Sequence, residues 1–240
     1  MTMAVALIGA VLVLWAAIVL YCVVRRGLTF HQAALYAPFK LALRIDDGMI
    51  GEARNAAPPV IYAVWHRSRV DPALMLALLP SDTLHILDEE SANAWWLDPW
   101  RTLARSIVFN ARHVFVSRRL VQRLKGGGRL AVYLPDDETP DPKTFRLFRA
   151  IARIAAKADA RVVPIDLEGA QHAAFSLAPD GGRKILPRIR IATLAPLTLT
   201  EMAELSQAES PKLSSLLLDR MIAVRRRAGG EKTPPLDDAA

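Results

Sequence analysis

The longest apolar run in the chain lies near its N-terminus, where Met3 to Val24 contains no charged residue. As an α-helix, this run of about 22 residues would extend roughly 33 Å, enough to cross the hydrocarbon layer of a bilayer. The alternative, a buried core helix, would require a modest domain to cover a helix that is apolar on every side. The pattern therefore predicts a membrane-spanning helix.

The positive charges that flank this run come after it, at Arg25 and Arg26, and no basic residue precedes it. A cleavable signal peptide has basic residues before a shorter apolar region. The positive-inside rule therefore predicts a single-pass protein of the cytoplasmic (inner) membrane, with the following domain in the cytoplasm and only Met1 and Thr2 outside. The single cysteine, Cys22, lies within the run, which suits a reducing compartment.

The pattern changes over Thr29–Ile45, where apolar and polar side chains are interspersed. Thr29 and Gln32 have the spacing of a capping box, which predicts a helix start, and Pro38 is expected to break the helix. The segment is either an interfacial helix that lies against the bilayer or a helix packed on the domain. The polar stretch from Asp46 to Pro59 is expected to connect it to the first strand.

Short strand-like runs then alternate with helical patterns through the rest of the chain. Strands are predicted at 60–66, 84–87, 130–134, 161–167 and 188–192, and helices at 72–79, 117–125 and 143–158. Three glycines, at 126–128, follow a helix rather than precede one, so they are predicted to form a C-cap and turn instead of a phosphate-binding loop. The alternation predicts an α/β fold with a mixed sheet flanked by helices, preceded by one N-terminal transmembrane helix.

These patterns divide the chain into four predicted parts. Residues 1–27 form the transmembrane anchor, 28–57 a juxtamembrane amphipathic segment and linker, and 58–228 the α/β domain. Residues 229–240 contain Pro, Lys and Asp and are expected to form a disordered tail.

The strand predicted at 60–66 leads into the most suggestive chemistry of the chain. His66 ends the apolar strand, and Asp71-Pro72 is predicted to open the next helix, with Asp71 as its N-cap. The carboxyl ends of strands are where α/β sheets bind ligands. An imidazole there can accept a proton from a hydroxyl while the carboxylate fixes its tautomer. In the alternative interpretation, Asp71 is only a cap and His66 a surface loop residue.

Further motifs follow in a regular order. They are a Pro-acidic turn at Leu134–Asp136, Ala155-Ala156-Lys157, Val162–Ile165 and Leu167–Ala170. Together with His-x4-Asp, this order resembles the glycerophospholipid (lysophospholipid) acyltransferases, over about residues 60 to 199. The sequence is most similar to the acyltransferase half of the two-domain 2-acylglycerophosphoethanolamine acyltransferase/acyl-carrier-protein synthetases.

The resemblance implies an enzyme that moves a fatty acyl group from acyl-CoA or acyl-carrier protein to a lysophospholipid-type acceptor, without an acyl-enzyme, a cofactor or a metal. In that family the histidine is the general base and the aspartate orients it, and the motif match assigns these roles to His66 and Asp71. Pro135 and Asp136 match the substrate-binding turn. Arg69 and Arg146, with Arg67, are further candidates for contact with the acceptor phosphate.

One motif departs from the family. Where the family has Phe-Pro-Glu-Gly followed by Thr-Arg or Arg, this chain has Leu134-Pro135-Asp136-Asp137-Glu138. Because carboxylates repel a phosphate dianion, the departure predicts selection against phosphomonoester acceptors. It also supports an alternative, a non-catalytic acyltransferase-fold protein that acts as a lipid-binding or membrane-assembly module. We expect the acidic turn to be solvated rather than to bind a metal.

Charge and aromatic residues indicate the expected partners. The net charge of +7, behind an anchor, predicts contact with anionic lipid headgroups. Four cations on one face of the helix at 143–158 either receive an acidic acyl-carrier protein or are only solvated: Arg146, Arg149, Arg153 and Lys157. No nucleic-acid motif accompanies the charge, so nucleic acid is not an expected partner. Trp95, Trp96 and Trp100 form either packed core or an apolar surface for an acyl chain or the membrane interface.

Overall fold

The computed structural model of the chain describes residues 2–87, 106–108, 114–137, 139–173, 182, 184, 187–206 and 211–229. The strands among them are β1 (Val60–His66), β2 (Thr83–Leu87), β3 (Ser106–Val108), β4 (Arg129–Pro135), β5 (Arg161–Glu168) and β6 (Arg190–Thr193). They form one sheet in the order β3-β2-β4-β1-β5-β6. In this spatial order the first five strands, β3, β2, β4, β1 and β5, run parallel to one another, and β6 runs antiparallel to β5. The predicted mixed sheet is therefore confirmed.

The described helices are α1 (Thr2–Arg26), α2 (Phe30–Ala42), α3 (Ile50–Arg54), α4 (Val70–Leu78), α5 (Val114–Lys125), α6 (Pro142–Ala158), α7 (Leu199–Leu205) and α8 (Leu213–Ala228). They bury the sheet on both faces. Ala63 and Trp65 of β1 point into one core, which α5, α6 and α8 complete, whereas Val64 points into a second core with α2 and α4. A strand that is covered on both faces has no solvated positions, and this is why the sequence of β1 is a continuous apolar run.

Most of the predicted elements agree with the structure. The five predicted strands are each observed within two residues of their expected bounds. Helix α6 buries Phe148 and Ile151 and exposes Arg149 and Arg153, as its pattern predicts. Gly127 has φ 76°, and the Gly128 N–H donates to the Arg123 carbonyl at 3.0 Å, which confirms the helix C-cap. The tryptophans at 95, 96 and 100 and the tail from residue 230 lie outside the described residues.

Helix α1 has the length and composition of a membrane span. It is the one helix of the described residues that is long and apolar enough to cross a bilayer, over Met3–Arg26, and very little of it is buried by the rest of the chain. Its C-terminal half is the exception, because Val19 and Cys22 are buried against α2. That α1 spans a membrane, which membrane this is, and the orientation of the helix remain predictions.

Helix α2 packs between α1 and α4. Its Gln32 amide donates to the carbonyls of Leu76 and Leu79 at 3.4 and 2.7 Å, which fixes α2 on the end of α4. The capping box at Thr29 and Gln32 is confirmed. Of the two interpretations of this segment, the helix packed on the domain therefore agrees with the structure.

The expectation that Pro38 breaks this helix is wrong, because α2 continues through it to Ala42. Proline has no N–H, so it cannot satisfy the carbonyl of Ala34, four residues earlier. The Trp15 indole of α1 donates to that carbonyl at 3.2 Å instead. A side chain of α1 thus replaces the hydrogen bond that α2 lacks, and the two helices are joined at this point.

A buried carboxylate fixes the end of α1 to the domain. Asp47, whose side chain is 3% exposed, lies 2.8 Å from Arg26 and from Lys40 and accepts a 2.7 Å hydrogen bond from the Tyr36 hydroxyl. Burial alone would raise the pKa of Asp47, but the hydrogen bonds from Lys40 and Tyr36 and the charges of Lys40 and Arg26 outweigh it and hold that pKa below its ordinary value. The junction between α1 and the rest of the domain is therefore an ionic one.

Candidate active site

His66 and Asp71 are brought together by a short turn. His66 is the last residue of β1, and α4 begins at Val70, so Asp71 lies in the first turn of the helix. The expectation that Asp71 is the N-cap is wrong. The turn folds back over the helix start, and the Asp71 Oδ2 atom accepts hydrogen bonds from the backbone N–H groups of Arg67 and Ser68, both at 2.7 Å. The carboxylate therefore orders the turn that carries the histidine.

The two side chains form a close pair. His66 Nδ1 lies 3.5 Å from Asp71 Oδ2, with His66 14% exposed and Asp71 fully buried. This contact is longer than the 2.7–2.9 Å typical of a charge-assisted hydrogen bond, and such contacts are often long before substrate binds. The interpretation of His66 as a surface loop residue is therefore wrong, and the predicted pair exists in space.

Two further rings extend this site across the sheet. Tyr133 of β4 contacts His66 edge to face, with ring centroids 5.8 Å apart. On its other side Tyr133 stacks on His85 of β2, and its hydroxyl lies 2.9 Å from His85 Nδ1. His85 is fully buried, and this burial lowers its pKa to about 3. A neutral imidazole and a phenol thus stand behind the pair.

A cluster of charges lies under the same turn. The Arg67 guanidinium forms ion pairs with Asp136 and Asp166, both at 3.1 Å. Arg225 of α8 forms a second ion pair with Asp136 and stacks over the Trp65 ring at 4.5 Å. Burial raises the pKa of Asp166 to about 6, although the charge of Arg67 opposes this rise. Arg67 therefore fixes the turn to β4 and β5.

These pairs change the electrostatics predicted for the divergent turn. Pro135 is the β-sheet partner of His66, so the turn does lie beside the pair. Asp136 is not a free negative charge, because two guanidinium groups neutralise it. Asp137 accepts a hydrogen bond from the Thr139 N–H at 2.9 Å in an exposed loop. Any repulsion of a phosphate must therefore come from Asp137 and from Glu138, which lies outside the described residues.

The other two candidate residues are exposed. Arg69 lies on the turn between His66 and Asp71, and Arg146 lies on the outer face of α6. Among the described residues, no hydrogen bond or ion pair joins Arg146 to His66 or Asp71. Their predicted roles in substrate binding remain predictions.

Sequence reasoning missed Tyr133, His85, Asp166 and Arg225. The alternation of β2 and β4 does indicate that His85 and Tyr133 each lie on one face of a strand. What it could not indicate is that β2, β4 and β1 are neighbours, which requires the strand order.

An apolar cavity of about 100 Å³ opens beside Tyr133, under α5 and α6. Its lining consists of Ile86, Leu87, Leu120, Val132, Tyr133, Leu147 and Ile151. The lining is almost wholly hydrocarbon, so the cavity is suited to an apolar group. Most of its lining belongs to the core under α5 and α6, whereas the Tyr133 ring and His66 lie on the other face of the sheet, so the cavity does not adjoin the pair.

The fold and the site together define a class of protein: a mixed α/β sheet, joined to an apolar N-terminal helix, with a His–Asp pair at the carboxyl ends of its strands. No protein-family model matches the sequence. A similar solved structure is that of the 1-acyl-sn-glycerophosphate (LPA) acyltransferase PlsC from Thermotoga maritima. The two share 16% sequence identity, with a TM-score of 0.53, over 83% of this chain and 81% of that one. The likeness establishes that the chain has the fold of this acyltransferase.

Proposed function

We propose that the protein is a membrane-anchored O-acyltransferase that moves a fatty acyl group from acyl-CoA or acyl-carrier protein to a lysophospholipid-type acceptor. The observation that carries the proposal is the His66–Asp71 pair, 3.5 Å apart at the carboxyl edge of the sheet, in a chain with the fold of an acyltransferase. The same proposal includes the resemblance of the sequence to the acyltransferase half of the 2-acylglycerophosphoethanolamine acyltransferases.

In the proposed reaction, His66 accepts the proton of the acceptor hydroxyl as its oxygen attacks the thioester carbonyl carbon. The C–S bond then breaks, the thiolate leaves and takes up the proton, and the products are an ester and a free thiol. Asp71 stabilises the transient imidazolium, and its two backbone hydrogen bonds keep its carboxylate oriented. No acyl-enzyme is formed.

The surroundings of the pair support binding of the acceptor. Pro135 and Asp136 adjoin His66 at the edge where the acceptor would enter, and the exposed Arg69 and Arg146 are proposed to contact its headgroup. The anchor would hold this edge at the surface of the membrane from which the lysolipid comes.

The proposed location is the cytoplasmic membrane, with the domain in the cytoplasm. Arg25 and Arg26 at the end of α1 support this orientation. A reporter fused after Ala240 should behave as cytoplasmic, and carbonate washing should leave the protein in the membrane pellet. A reporter active in the periplasm would overturn the orientation.

A non-catalytic lipid-binding or membrane-assembly module is the second candidate. One observation favours it: His66 Nδ1 has no hydrogen bond among the described residues, so the pair lacks the bond that would fix its tautomer. A module of this kind would bind lysolipid or acyl donor without transfer.

Purified full-length protein in lipid nanodiscs distinguishes the two candidates. A panel of lysolipids that differ only in headgroup is offered with acyl-CoA and with acyl-carrier protein, and products are followed by mass spectrometry. The enzyme is supported by catalytic turnover with at least one pair and no product in protein-free nanodiscs. Binding of a lysolipid with no transfer from either donor would support the non-catalytic module and refute the proposal that the protein is an acyltransferase.

A further inference from the structure

Three aromatic side chains from three adjacent strands stand in a row behind the site. His85 on β2, Tyr133 on β4 and His66 on β1 all lie on the sheet face that α4 covers. The centroid separations are 6.3 Å from His85 to Tyr133 and 5.8 Å from Tyr133 to His66. The row ends at Asp71, which lies 3.5 Å from His66.

Packing alone does not explain why the row begins with a buried polar contact, between His85 and the Tyr133 hydroxyl. His85 is fully buried, and its Nε2 atom has no hydrogen-bond partner among the described residues. An aliphatic side chain would fill the same space without leaving a polar atom unsatisfied. What His85 adds is the 2.9 Å contact between Nδ1 and the Tyr133 hydroxyl. That contact engages the hydroxyl of Tyr133 and fixes the direction of its ring.

Tyr133, in the middle of the row, supplies a restraint that the His66–Asp71 pair lacks. Because the Nδ1–Oδ2 distance is 3.5 Å and no hydrogen bond forms, Asp71 does not by itself hold the imidazole in one orientation. The edge-to-face contact with Tyr133, at an interplanar angle of 66°, restrains the imidazole from the side of the neighbouring strand. Rotation of His66 away from Asp71 would have to break this contact.

We propose that Tyr133 is a positioning residue, whose ring holds the His66 imidazole against Asp71, and that His85 holds Tyr133 in the orientation that this requires. The inference rests on the proposed function, in which His66 is the base. It assigns the role to the ring of Tyr133 and not to its hydroxyl, since His85 already engages that hydroxyl.

The test compares variants of the full-length protein in nanodiscs. Tyr133→Phe keeps the ring, Tyr133→Leu removes it, and His85→Phe removes the support of the hydroxyl. Tyr62→Phe, at a buried tyrosine of β1 on the same sheet face, is the matched control. We expect Tyr133→Leu to lower kcat at least tenfold with the acceptor KM changed less than twofold. His85→Phe and Tyr133→Phe both remove the contact between His85 and the Tyr133 hydroxyl, so each should lower kcat about threefold to tenfold, whereas the Tyr62→Phe control should stay within threefold of wild type.

The ¹⁵N chemical shifts of the His66 ring give a readout that needs no turnover. In wild type these shifts should report an imidazole held beside the Asp71 carboxylate, and in Tyr133→Phe, which keeps the ring, they should lie closer to wild type than in Tyr133→Leu. In Tyr133→Leu they should move toward those of free histidine. If Tyr133→Leu does not fold, Tyr133→Met and His85→Phe carry the same comparison.

Two outcomes would overturn the inference. One is that His66 shifts and kcat are unchanged when the ring is removed. The other is that Tyr133→Phe loses as much kcat as Tyr133→Leu, which would assign the role to the hydroxyl. If wild type catalyses no transfer, the proposed function fails, and the His66 shifts still decide whether Tyr133 positions the imidazole.

Discussion

At the scale of single residues, Arg67 connects the two halves of the site. Its backbone N–H donates to Asp71, while its guanidinium forms ion pairs with Asp136 and Asp166. One residue thus ties the turn that carries the His–Asp pair to the two strands beside it. Asp166 is the fully buried member of this cluster, and its ionisation should be visible in the stability of the protein.

Burial raises the pKa of Asp166 from 3.8 to about 6, against the charge of Arg67. The folded protein therefore binds this proton more tightly than the unfolded chain, and the Asp166 contribution to stability falls as pH rises from about 4 to 6. We predict that the free energy of unfolding of wild type minus that of Asp166→Asn decreases over this interval, by at most about 1.4 kcal/mol per pH unit, and is constant above pH 7. Thermal unfolding at each pH measures it, and a difference that grows with pH would refute the assignment.

The divergent turn makes a second prediction at this scale. Because Asp136 is paired with Arg67 and Arg225, the repulsion of a phosphate falls to Asp137 and Glu138. Exposed charges interact weakly, by about 1 kcal/mol at contact distance in water. The double variant Asp137→Gly, Glu138→Arg should therefore raise kcat/KM for lysophosphatidic acid about tenfold relative to a zwitterionic lysolipid. If wild type already prefers lysophosphatidic acid, the electrostatic argument is wrong.

The sequence indicates only part of this site. His66 and Asp71 are five residues apart, so their pairing depends on one local turn and can be predicted from motif and spacing. Arg225 belongs to the last helix, α8, and forms an ion pair with Asp136, which follows β4. Tyr133 contacts His66 because β4 pairs with β1. Contacts of this kind follow from the order of strands and the packing of helices, which a single sequence does not specify.

At the scale of elements, the junction of α1 and α2 shows why a local rule failed. Pro38 removes a hydrogen bond inside α2, and on that basis a break is expected. The helix persists because the Trp15 indole satisfies the Ala34 carbonyl, and because Tyr36 and Ala37 are buried. The compensating group comes from another helix, so no pattern within 30–42 could indicate it.

This arrangement predicts a coupling between two substitutions. Pro38→Ala restores an N–H that can donate to the Ala34 carbonyl, so that carbonyl no longer needs Trp15. Trp15→Phe should cost about 1 kcal/mol in the wild-type protein and clearly less in Pro38→Ala. Chemical unfolding of the four proteins in one detergent gives the double-mutant cycle. Equal costs in both backgrounds would mean that the Trp15 hydrogen bond does not replace the one that Pro38 lacks.

At the scale of the whole molecule, the apolar helix α1 and the site are parts of one structure. Helix α1 packs on α2, α2 packs on α4, and α4 carries Asp71. Asp47 adds ionic contacts where α1 ends, through Arg26 and Lys40. The fold class, the apolar helix and the strands follow from hydrophobic patterning because they depend on local periodicity and burial. The attachment of α1 to the domain does not follow from these patterns, since it depends on long-range polar contacts.

The central claim is that His66 is the base of an acyl transfer at the membrane surface. The most direct test is the initial rate of transfer by His66→Ala, with the best donor and acceptor of the wild type, beside His31→Ala as an exposed-histidine control. A positioned general base contributes about 10²- to 10⁴-fold. We predict that His66→Ala loses at least a hundredfold in rate with Tm unchanged, and that His31→Ala keeps the wild-type rate. A His66→Ala protein that retains more than about a tenth of the wild-type rate, or a wild type that transfers no acyl group, would contradict the claim.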